Sequence, residues 1–404
     1  MVYLKHLEKF SNQWQDFSMK VGILTFHAHL NYGGVLQCLA LQKTLESLGH
    51  EAIVVDRWMD IDNFVLERNY NIVLSKEFLK SCIRLLLGLG DFRRWLRVRR
   101  TKKFVQKHLK LTPYHFVEWK DAPGDLGLDL LVVGSDQVWH CGNWGDPSVY
   151  LLDGAPQIRA ISYAASFGMT ELPDSFVDVY LNGLSRFSAI SCREHEGVDI
   201  CRGLGFAATH VVDPTLLAWC ARADINAKGG KPNELVCYFL SEKLEDHIPE
   251  LSEFAKRRKC KVRVFLIDAW LSAVPLNISG VVALLKKWRY RICPSVEIMD
   301  SAGPQEFFDA FRTAKWVVSD SFHALMFSIC NGCNARIIRP KTEFRIQMFS
   351  RIEEFAQHTR GPLIVDSVSS ALDSIASGEE VSYDYSWIKS RCNESISYLK
   401  NNLK

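Results

Sequence analysis

The chain of 404 residues carries a formal net charge of +3, and 48% of its residues are hydrophobic and 24% charged. This balance is typical of a globular protein, and the length indicates two or three domains. The small net charge gives no support for a nucleic-acid partner, and no apolar run approaches the roughly 18 residues that a membrane span needs.

The first 18 residues lack the apolar core and the small-residue cleavage site of a signal peptide. Met19 directly precedes the first convincing strand, so we expect residues 1–18 to be an extension outside the fold. The 12 cysteines lie mostly in apolar stretches, which indicates reduced, buried thiols and a cytoplasmic location. Cys330 and Cys333 lack the second pair that a structural zinc site needs, so we expect no metal.

The beginning of the fold has the pattern of a strand–helix–strand unit. An apolar run at 20–26 predicts a buried strand, helical spacing at 33–49 predicts a helix that ends at a glycine, and 50–56 predicts a second strand. Such a unit predicts a parallel sheet. Further strands that run into loops are predicted at 128–134, 159–165, 188–194 and 209–214.

A change of composition separates two series of elements. Gly, Pro, Lys and Asn cluster at 221–233, as in a linker. A second α/β series follows, with strands predicted at 234–240, 260–268, 296–300, 315–320 and 335–340 and helices at 243–258 and 303–314. We therefore predict two α/β domains with a cleft between them, at 19–222 and 234–365, and a partly helical tail at 366–404.

A basic segment at 93–110 holds nine Lys or Arg residues and no acid. It could contact an anionic membrane surface or an anionic polymer. The alternative, which we favour, is a solvated helix face flanked by packing residues.

Ligands of parallel α/β sheets bind beyond the carboxyl ends of the strands, so the loops there are the candidate sites. The first such loop carries Asn31 and Tyr32 before a glycine pair, Gly33 and Gly34, that opens a helix. This pair would let backbone N–H groups approach an anion, or it would simply serve a tight turn. Both interpretations stay open.

The loop after the strand at 128–134 carries Ser135, Asp136 and Gln137, followed by Trp139. The carboxylate and the amide would stand at the edge of the sheet, and the tryptophan suits the wall of a sugar site. The alternative is that Ser135 and Asp136 cap a following helix.

Arg193 follows another apolar strand, in the segment SCREHEG. A guanidinium at a strand end suits a carboxylate or a phosphate. The alternative is an ion pair with Glu194, Glu196 or Asp213.

The segment VVSDSFHALMFSIC places His323 in the first turn of a predicted helix, at the end of a predicted strand. The helix dipole there lowers the basicity of an imidazole, which favours a neutral base. An isolated histidine would more often bind a local carbonyl, but Asp320 and Ser321 crowd the same turn. Further charges follow the next strand, at Arg339, Lys341, Glu343 and Arg345. We therefore predict that cations and an acid/base group meet in one cleft.

Six segments resemble, in order, motifs of the polysaccharide pyruvyl transferase family. They are NYGGVLQCLAL, LLVVGSDQVW, ISYAASFG, SCRE, HVVDPTLL and VVSDSFHALMFSI, and the resemblance spans residues 20 to 360. It implies two Rossmann-like domains that face a cleft, as in GT-B glycosyltransferases. It also implies transfer of pyruvate from phosphoenolpyruvate to two hydroxyls of a sugar, without any cofactor, giving a cyclic ketal and phosphate.

The resemblance assigns roles to individual residues. His323 matches the active-site histidine of the family and Arg193 the arginine of its S-x-R-E/D motif, and Asp136 or Asp320 would orient the histidine or act as a second base. Ser321 stands where some branches carry a donor-contacting arginine, and Ala324 where many relatives have glycine. Donor charge must then be met by Arg193, Arg339, Lys341 or Arg345, with Ser321 beside them. The predicted acceptor side comprises Asn31, Tyr32, Gly33, Gly34, Ser135, Gln137 and Trp139.

Two other functions are compatible with these patterns. A nucleotide-sugar glycosyltransferase of the same architecture would need an acidic residue for a ribose, for which Glu297 and Glu343 are candidates. A family member that binds glycans without catalysis would lack polar residues at its strand ends. Such residues are present, so this function ranks last.

Overall fold

The computed structural model describes residues 18–27, 30–57, 91–142, 147–220, 233–242, 244–266 and 295–404. The predicted extension and nearly all of the predicted linker lie outside these residues. Within them, two parallel sheets are present, each covered by helices, as the alternation of strands and helices predicts.

Five parallel strands form the first sheet, in the order β3-β2-β1-β4-β5. They run as apolar stretches because helices cover both faces of the sheet. In chain order they are β1 (Lys20–Leu24), β2 (Glu51–Arg57), β3 (Leu111–Phe116), β4 (Leu130–Val133) and β5 (Ala160–Ser162). Two short parallel strands, β6 (Ile190–Cys192) and β7 (Ala208–His210), continue from β5 through single bridges. The helices of this unit are α1 (Tyr32–Ser47), α2 (Asp91–His108), α3 (Val177–Leu184), α4 (His195–Gly203) and α5 (Pro214–Cys220).

The second sheet has six parallel strands in the order β10-β9-β8-β11-β12-β14. The strands of this part of the chain are β8 (Glu234–Phe239), β9 (Lys261–Leu266), β10 (Val296–Ile298), β11 (Trp316–Ser319), β12 (Asn334–Ile338), β13 (Thr359–Arg360), β14 (Ile364–Val365) and β15 (Ser382–Tyr383), with β13 and β15 as a separate antiparallel pair. The helices are α6 (Leu244–Arg258), α7 (Pro304–Thr313), α8 (Phe322–Asn331), α9 (Glu343–Gln347), α10 (Ser350–Gln357), α11 (Val368–Ala376) and α12 (Tyr385–Asn402).

Both sheets have the strand order of a Rossmann-like unit. In each, the first strand lies in the middle, two strands are added on one side, and the chain then returns to the other side of the first strand. The order reverses between β1 and β4 and between β8 and β11, and such switch points open a crevice at the carboxyl ends of the strands. The predicted fold, two Rossmann-like units in a GT-B-like arrangement, is confirmed.

The predicted C-terminal tail contains one helix for each unit. The apolar side of α11 packs into the core of the second sheet. The last helix, α12, returns to the first unit, where Tyr398 Oη donates to the Ser162 carbonyl over 2.9 Å and Ser395 Oγ accepts from Val212 N over 3.0 Å. The predicted domain boundaries themselves stay predictions.

A shared apolar core joins the two units. Tyr32, at the start of α1, stacks on Phe307 of α7 with ring centroids 4.5 Å apart, and its hydroxyl donates to the Ala302 carbonyl over 3.2 Å. This ring is 1% exposed, so it cannot reach a sugar. The prediction of Tyr32 as an acceptor-binding residue is therefore wrong, because its ring is needed in the contact between the units.

The basic helix α2 contacts the second unit through its arginines. Arg93 forms an ion pair of 2.8 Å with the buried Asp300, and Arg100 donates to the Ser301 carbonyl over 2.9 Å. Arg97 is buried and donates to the carbonyls of Leu266 and Leu30 over 2.7 and 2.6 Å. Part of the basic segment thus stabilises the junction between the units, and a membrane contact through its other cations stays a prediction.

None of the described helices is both long and apolar enough to cross a bilayer. The nine cysteines whose side chains the structure describes are free thiols, and all are buried, as the apolar surroundings of most of them predict.

We predict that Arg97→Ala lowers the free energy of unfolding by about 3 kcal/mol, because two hydrogen bonds from a charged donor are lost and two buried carbonyls are left without it. Urea unfolding measures this change. Lys103→Ala, at an exposed position of the same helix, is the control and should change stability by less than about 0.5 kcal/mol. Equal effects of the two substitutions would contradict the assigned role of Arg97.

Candidate active site

The candidate active site lies where the carboxyl ends of strands from both units meet. The first unit contributes the start of α1, the segment after β4, Arg193 after β6 and Asp213 after β7. The second unit contributes the start of α8 after β11. The two switch points of the fold therefore face each other at this junction.

The glycine pair at the start of α1 allows the two units to approach closely. A Cβ atom on Gly33 would lie 2.3 Å from Nδ1 of His323, and one on Gly34 would lie 3.2 Å from Oδ2 of Asp136. Both glycines are helical and neither has a positive φ, so a tight turn is not their reason. Asn31 is the N-cap of this helix, and its side chain accepts from Gly33 N over 2.9 Å.

Asp136 stands directly after β4 with a left-handed φ of 71°. Its Oδ1 accepts from Gln137 N over 2.9 Å and lies 3.6 Å from Nη2 of Arg193. No α-helix begins between residues 135 and 142, so the interpretation of this segment as a helix cap is wrong. The backbone turn instead directs the carboxylate towards Gly34 and Arg193.

Two of the predicted acceptor residues after β4 are committed to other contacts. Trp139 is 0% exposed, donates to the Tyr150 carbonyl over 3.2 Å and packs against Phe167, so it cannot form the wall of a sugar site. Ser135 is also fully buried, and its hydroxyl donates to Asp213 over 3.3 Å. Both predictions are wrong because these side chains point into the first unit. The Gln137 side chain lies near the segment between α9 and α10, where it donates to Met348 Sδ.

Arg193 is buried in a pair with acids of its own unit. Its Nη1 lies 3.0 Å from Oδ2 of Asp213, so the ion pair that we considered as an alternative is present. Burial opposes ionisation, but Asp213, Asp136 and Glu194 outweigh it and raise the pKa of Arg193. Its Nε is buried without a hydrogen-bond partner, so this cation retains one donor for a ligand.

His323 is the second residue of α8 and is buried. Its Nε2 lies 3.8 Å from Oδ2 of Asp213 and has no hydrogen-bond partner. Burial lowers the pKa of His323; Asp136 and Asp213 oppose this shift, while Arg193 and Arg351 add to it. The free site therefore holds a neutral imidazole with an available nitrogen beside a carboxylate.

Asp213 is the carboxylate of the site whose role the sequence did not reveal. Burial would raise its pKa, but His323 when protonated, the guanidinium of Arg193 and a hydrogen bond from Thr215 lower it. The sequence predicts a strand at 209–214 that runs into a loop, and it offers Asp213 only as an alternative ion-pair partner of Arg193. The backbone does turn there, and Thr215 N donates to Oδ1 over 2.9 Å, which points the other oxygen at Arg193 and His323.

Asp320 has a structural contact instead of the predicted catalytic one. Its carboxylate accepts from the backbone N–H groups of Leu240 and Ser241 over 2.6 and 2.7 Å, and from the Ser241 hydroxyl. These bonds tie the loop after β8 to the end of β11. Ser321 is buried as the N-cap residue of α8, without a capping bond from its side chain.

The three cations after β12 do not join His323 through any contact among the described residues. Arg339 pairs with Glu353 over 2.7 Å at the surface, and Lys341, whose side chain is 71% exposed, lies 3.7 Å from Glu242. Arg345 donates to the Leu240 carbonyl over 3.0 Å. The predicted convergence of these cations with His323 is therefore not present in this structure.

A different arginine, Arg351 of α10, approaches the site. Its guanidinium carbon lies 4.8 Å from the ring centroid of Phe322, and that of Arg193 lies 4.7 Å from the same centroid. In the sequence Arg351 stands in an amphipathic helical segment, where an arginine usually faces solvent, so no local pattern marks it.

The sequence matches the profile described as Polysaccharide pyruvyl transferase over residues 31–342. The chain belongs to this family. None of the curated protein sequences matches it.

Solved structures give only distant similarities. The MnaA–UDP structure from S. aureus aligns at 10% identity and a TM-score of 0.47, over 93% of this chain and 91% of that one. The UDP-GlcNAc 2-epimerase from Neisseria meningitidis aligns at 9% identity and a TM-score of 0.47, over 95% and 98% of the chains. MurG from Acinetobacter baumannii aligns at 10% identity and a TM-score of 0.38, over 95% of both chains. Similarities at this level say nothing about the activity of this family member.

A group of His195, His210 and Glu354 beside the site has the spacing of metal ligands. Arg391 donates to Nδ1 of His210 over 2.8 Å, and since arginine only donates, Nε2 must carry the proton of this neutral imidazole. That Nε2 donates to the Arg193 carbonyl over 3.1 Å. A protonated nitrogen cannot bind a metal, so this group is better described as a hydrogen-bonded support of the Arg193 backbone.

We predict that Gly33→Ala displaces the imidazole of His323 and lowers stability by about 1–3 kcal/mol, because the added methyl group overlaps Nδ1. Alanine in place of a helical glycine otherwise stabilises by up to about 1 kcal/mol. Chemical denaturation and the NMR signals of the imidazole measure both effects. Gly203→Ala, where a Cβ meets nothing within 4 Å, is the matched control. An unshifted imidazole in a variant as stable as this control would contradict the close approach.

We also predict that His323 titrates below its ordinary pKa of 6.5, chiefly because it is buried. The unfolded chain then binds this proton more readily than the folded chain, so this group reduces stability as the pH falls below 6.5. NMR titration of labelled imidazoles, with His323→Gln to assign the signal, measures the midpoint. A midpoint at or above 6.5 would show that the site does not hold a neutral base.

Proposed function

We propose that this family member transfers pyruvate from phosphoenolpyruvate to two hydroxyls of a sugar, in a surface polysaccharide or its lipid-linked precursor, in the cytoplasm. The observation that carries the proposal is the junction of His323 with Arg193. The carboxylate of Asp213 lies beside both groups. Nε2 of the neutral imidazole and Nε of the buried guanidinium have no hydrogen-bond partner. An acid/base group and a cation that can bind anions therefore lie next to each other.

The proposed reaction adds both hydroxyls to the central carbon of the donor. The first sugar oxygen bonds to that carbon, and its proton ends on the methylene carbon, which becomes the methyl group. The second sugar oxygen then bonds to the same carbon while the bond to the phosphate oxygen breaks. Its proton leaves with phosphate, so atoms and charges balance and no redox partner is needed.

His323 would move the first proton. A neutral imidazole accepts the proton of the attacking hydroxyl and, as imidazolium, delivers it to the methylene carbon. The negative charge of Asp213, 3.8 Å from Nε2, stabilises the imidazolium while it exists. Asp136 is the remaining carboxylate at the junction and would act as the base for the second hydroxyl, which the bonds of Asp320 to the 240–241 loop prevent Asp320 from doing.

Arg193 would bind an anionic group of the donor. Its pair with Asp213 fixes the guanidinium before the donor arrives, and a fixed donor in a dry site stabilises developing negative charge more strongly than water does. The acceptor would bind near the start of α1, where the glycine pair brings the backbone close to His323 and Asp136.

We predict that phosphoenolpyruvate raises the midpoint of thermal unfolding, whereas sugar nucleotides do not. A ligand at about 100 times its dissociation constant adds about 2.7 kcal/mol of stability, and this test needs no knowledge of the acceptor. Stabilisation by a sugar nucleotide alone would instead support the glycosyltransferase alternative and overturn the proposal.

We predict that His323→Ala keeps the fold and the stabilisation by phosphoenolpyruvate but loses about 10²–10⁴-fold in turnover, because the proton transfers lose their catalyst. Release of phosphate in the presence of a panel of sugars measures turnover. His115→Ala, at an exposed position of β3, is the control. An active His323→Ala enzyme would disprove the acid/base role, and binding without turnover in the wild type would support a non-catalytic member.

A further inference from the structure

The guanidinium of the half-buried Arg351 is unlike those of the buried arginines. Its Nε and Nη1 are buried and have no hydrogen-bond partner, and it forms no ion pair with any of the described residues. By contrast, Arg97 donates to two carbonyls, and the buried Arg336 donates to Ser374, Asn334 and Glu379. Buried cations are normally paired, so this cation has a site for an anion that the chain itself does not fill.

Arg351 is close enough to the charged groups of the candidate active site for them to shift its pKa. Burial and the repulsion of Arg193 lower the pKa of Arg351 to about 10, against the attraction of Glu194, Asp136 and Asp213. It therefore stays charged at neutral pH. Its guanidinium carbon and that of Arg193 both lie within 5 Å of the centroid of the Phe322 ring, which places the two cations less than 10 Å apart. We expect one small ligand with two anionic groups to bridge them.

The two arginines differ in how far their charge is already neutralised. Asp213 lies 3.0 Å, Asp136 3.6 Å and Glu194 4.0 Å from the guanidinium of Arg193, and its Nε has no hydrogen-bond partner. Arg351 has no such counter-ion among the described residues. A singly charged carboxylate suits the first cation, and a doubly charged phosphate suits the second, because more negative charge is needed to balance an uncompensated guanidinium.

We propose that Arg351 is the residue that binds the phosphate group of phosphoenolpyruvate, while Arg193 faces its carboxylate. This inference rests on the proposed function. It assigns to Arg351 of α10 the positive charge that the phosphate group of the donor needs. The start of α8 cannot supply it, because Ser321 at that position is uncharged. The cations after β12 are held in contacts with Glu353, Glu242 and the Leu240 carbonyl.

Binding of two probes, phosphoenolpyruvate and inorganic phosphate, tests the proposal on the full-length protein by thermal unfolding and calorimetry. For Arg351→Gln we expect the dissociation constant for phosphoenolpyruvate to rise about 10- to 100-fold and stabilisation by phosphate to vanish. Arg351→Lys, which keeps the charge but not the planar fork, should lie between Arg351→Gln and the wild type. Arg257→Gln, in an exposed pair with Glu253, is the control and should bind both probes like the wild type.

The unfolding midpoint without ligand separates a binding role from a structural one. Removing an unpaired buried cation relieves its desolvation and its repulsion with Arg193, so Arg351→Gln should melt no lower than the wild type. A lower midpoint with unchanged binding of both probes would overturn the inference and assign Arg351 to packing.

The failures of the two proposals are distinguishable. If the wild type and Arg351→Gln bind phosphoenolpyruvate equally well, this inference fails and the proposed function stands. If the wild type binds a sugar nucleotide and not phosphoenolpyruvate, the proposed function fails and this inference fails with it.

Discussion

The carboxylate of Asp213 lies at the point where the two units and the chemistry of the site meet. One oxygen accepts from Thr215 N, and the other receives Arg193 at 3.0 Å and the Ser135 hydroxyl at 3.3 Å and lies 3.8 Å from Nε2 of His323. Without this carboxylate Arg193 would be a buried charge with little compensation, and such a charge is strongly destabilising. The carboxylate of Asp213 compensates the charge of the buried Arg193, and the same carboxylate lies next to the imidazole of His323.

This arrangement depends on a fixed junction between the units, since His323 belongs to the second unit and Asp213 to the first. Tyr32 stacks on Phe307, and Arg97 binds one carbonyl from each unit. Gly33 then brings α1 against the imidazole, where any side chain would overlap it. The relative position of base and carboxylate is therefore set by packing before a ligand arrives, which is the condition for electrostatic catalysis.

Much of the fold follows from the sequence, and less of the site does. Apolar runs that end in polar loops predict the parallel strands, and the carboxyl ends of those strands correctly indicate Asp136, Arg193 and His323 as neighbours of one junction. The local sequence pattern gives wrong predictions where the direction of a side chain depends on tertiary packing. Tyr32 and Trp139 resemble residues of a sugar site but fill cores, because an aromatic ring near a strand end suits either place. Asp213 lies beside the histidine in place of the predicted Asp320, since hydrogen bonds between loops far apart in sequence decide which carboxylate faces the imidazole.

Arg351 is a residue that the sequence pattern does not identify, because its direction also depends on tertiary packing. The apolar residues of α10 have the spacing of an ordinary amphipathic helix. Only the folded structure shows that α10 directs the Arg351 guanidinium towards Phe322, beside Arg193. Two guanidinium groups near one ring repel each other, and burial makes that repulsion stronger than it would be in water. The site therefore holds charge that an anion would stabilise. Stability is lower there than a neutral core would give, and the affinity for an anionic ligand is correspondingly higher, because binding removes the repulsion that folding left in place.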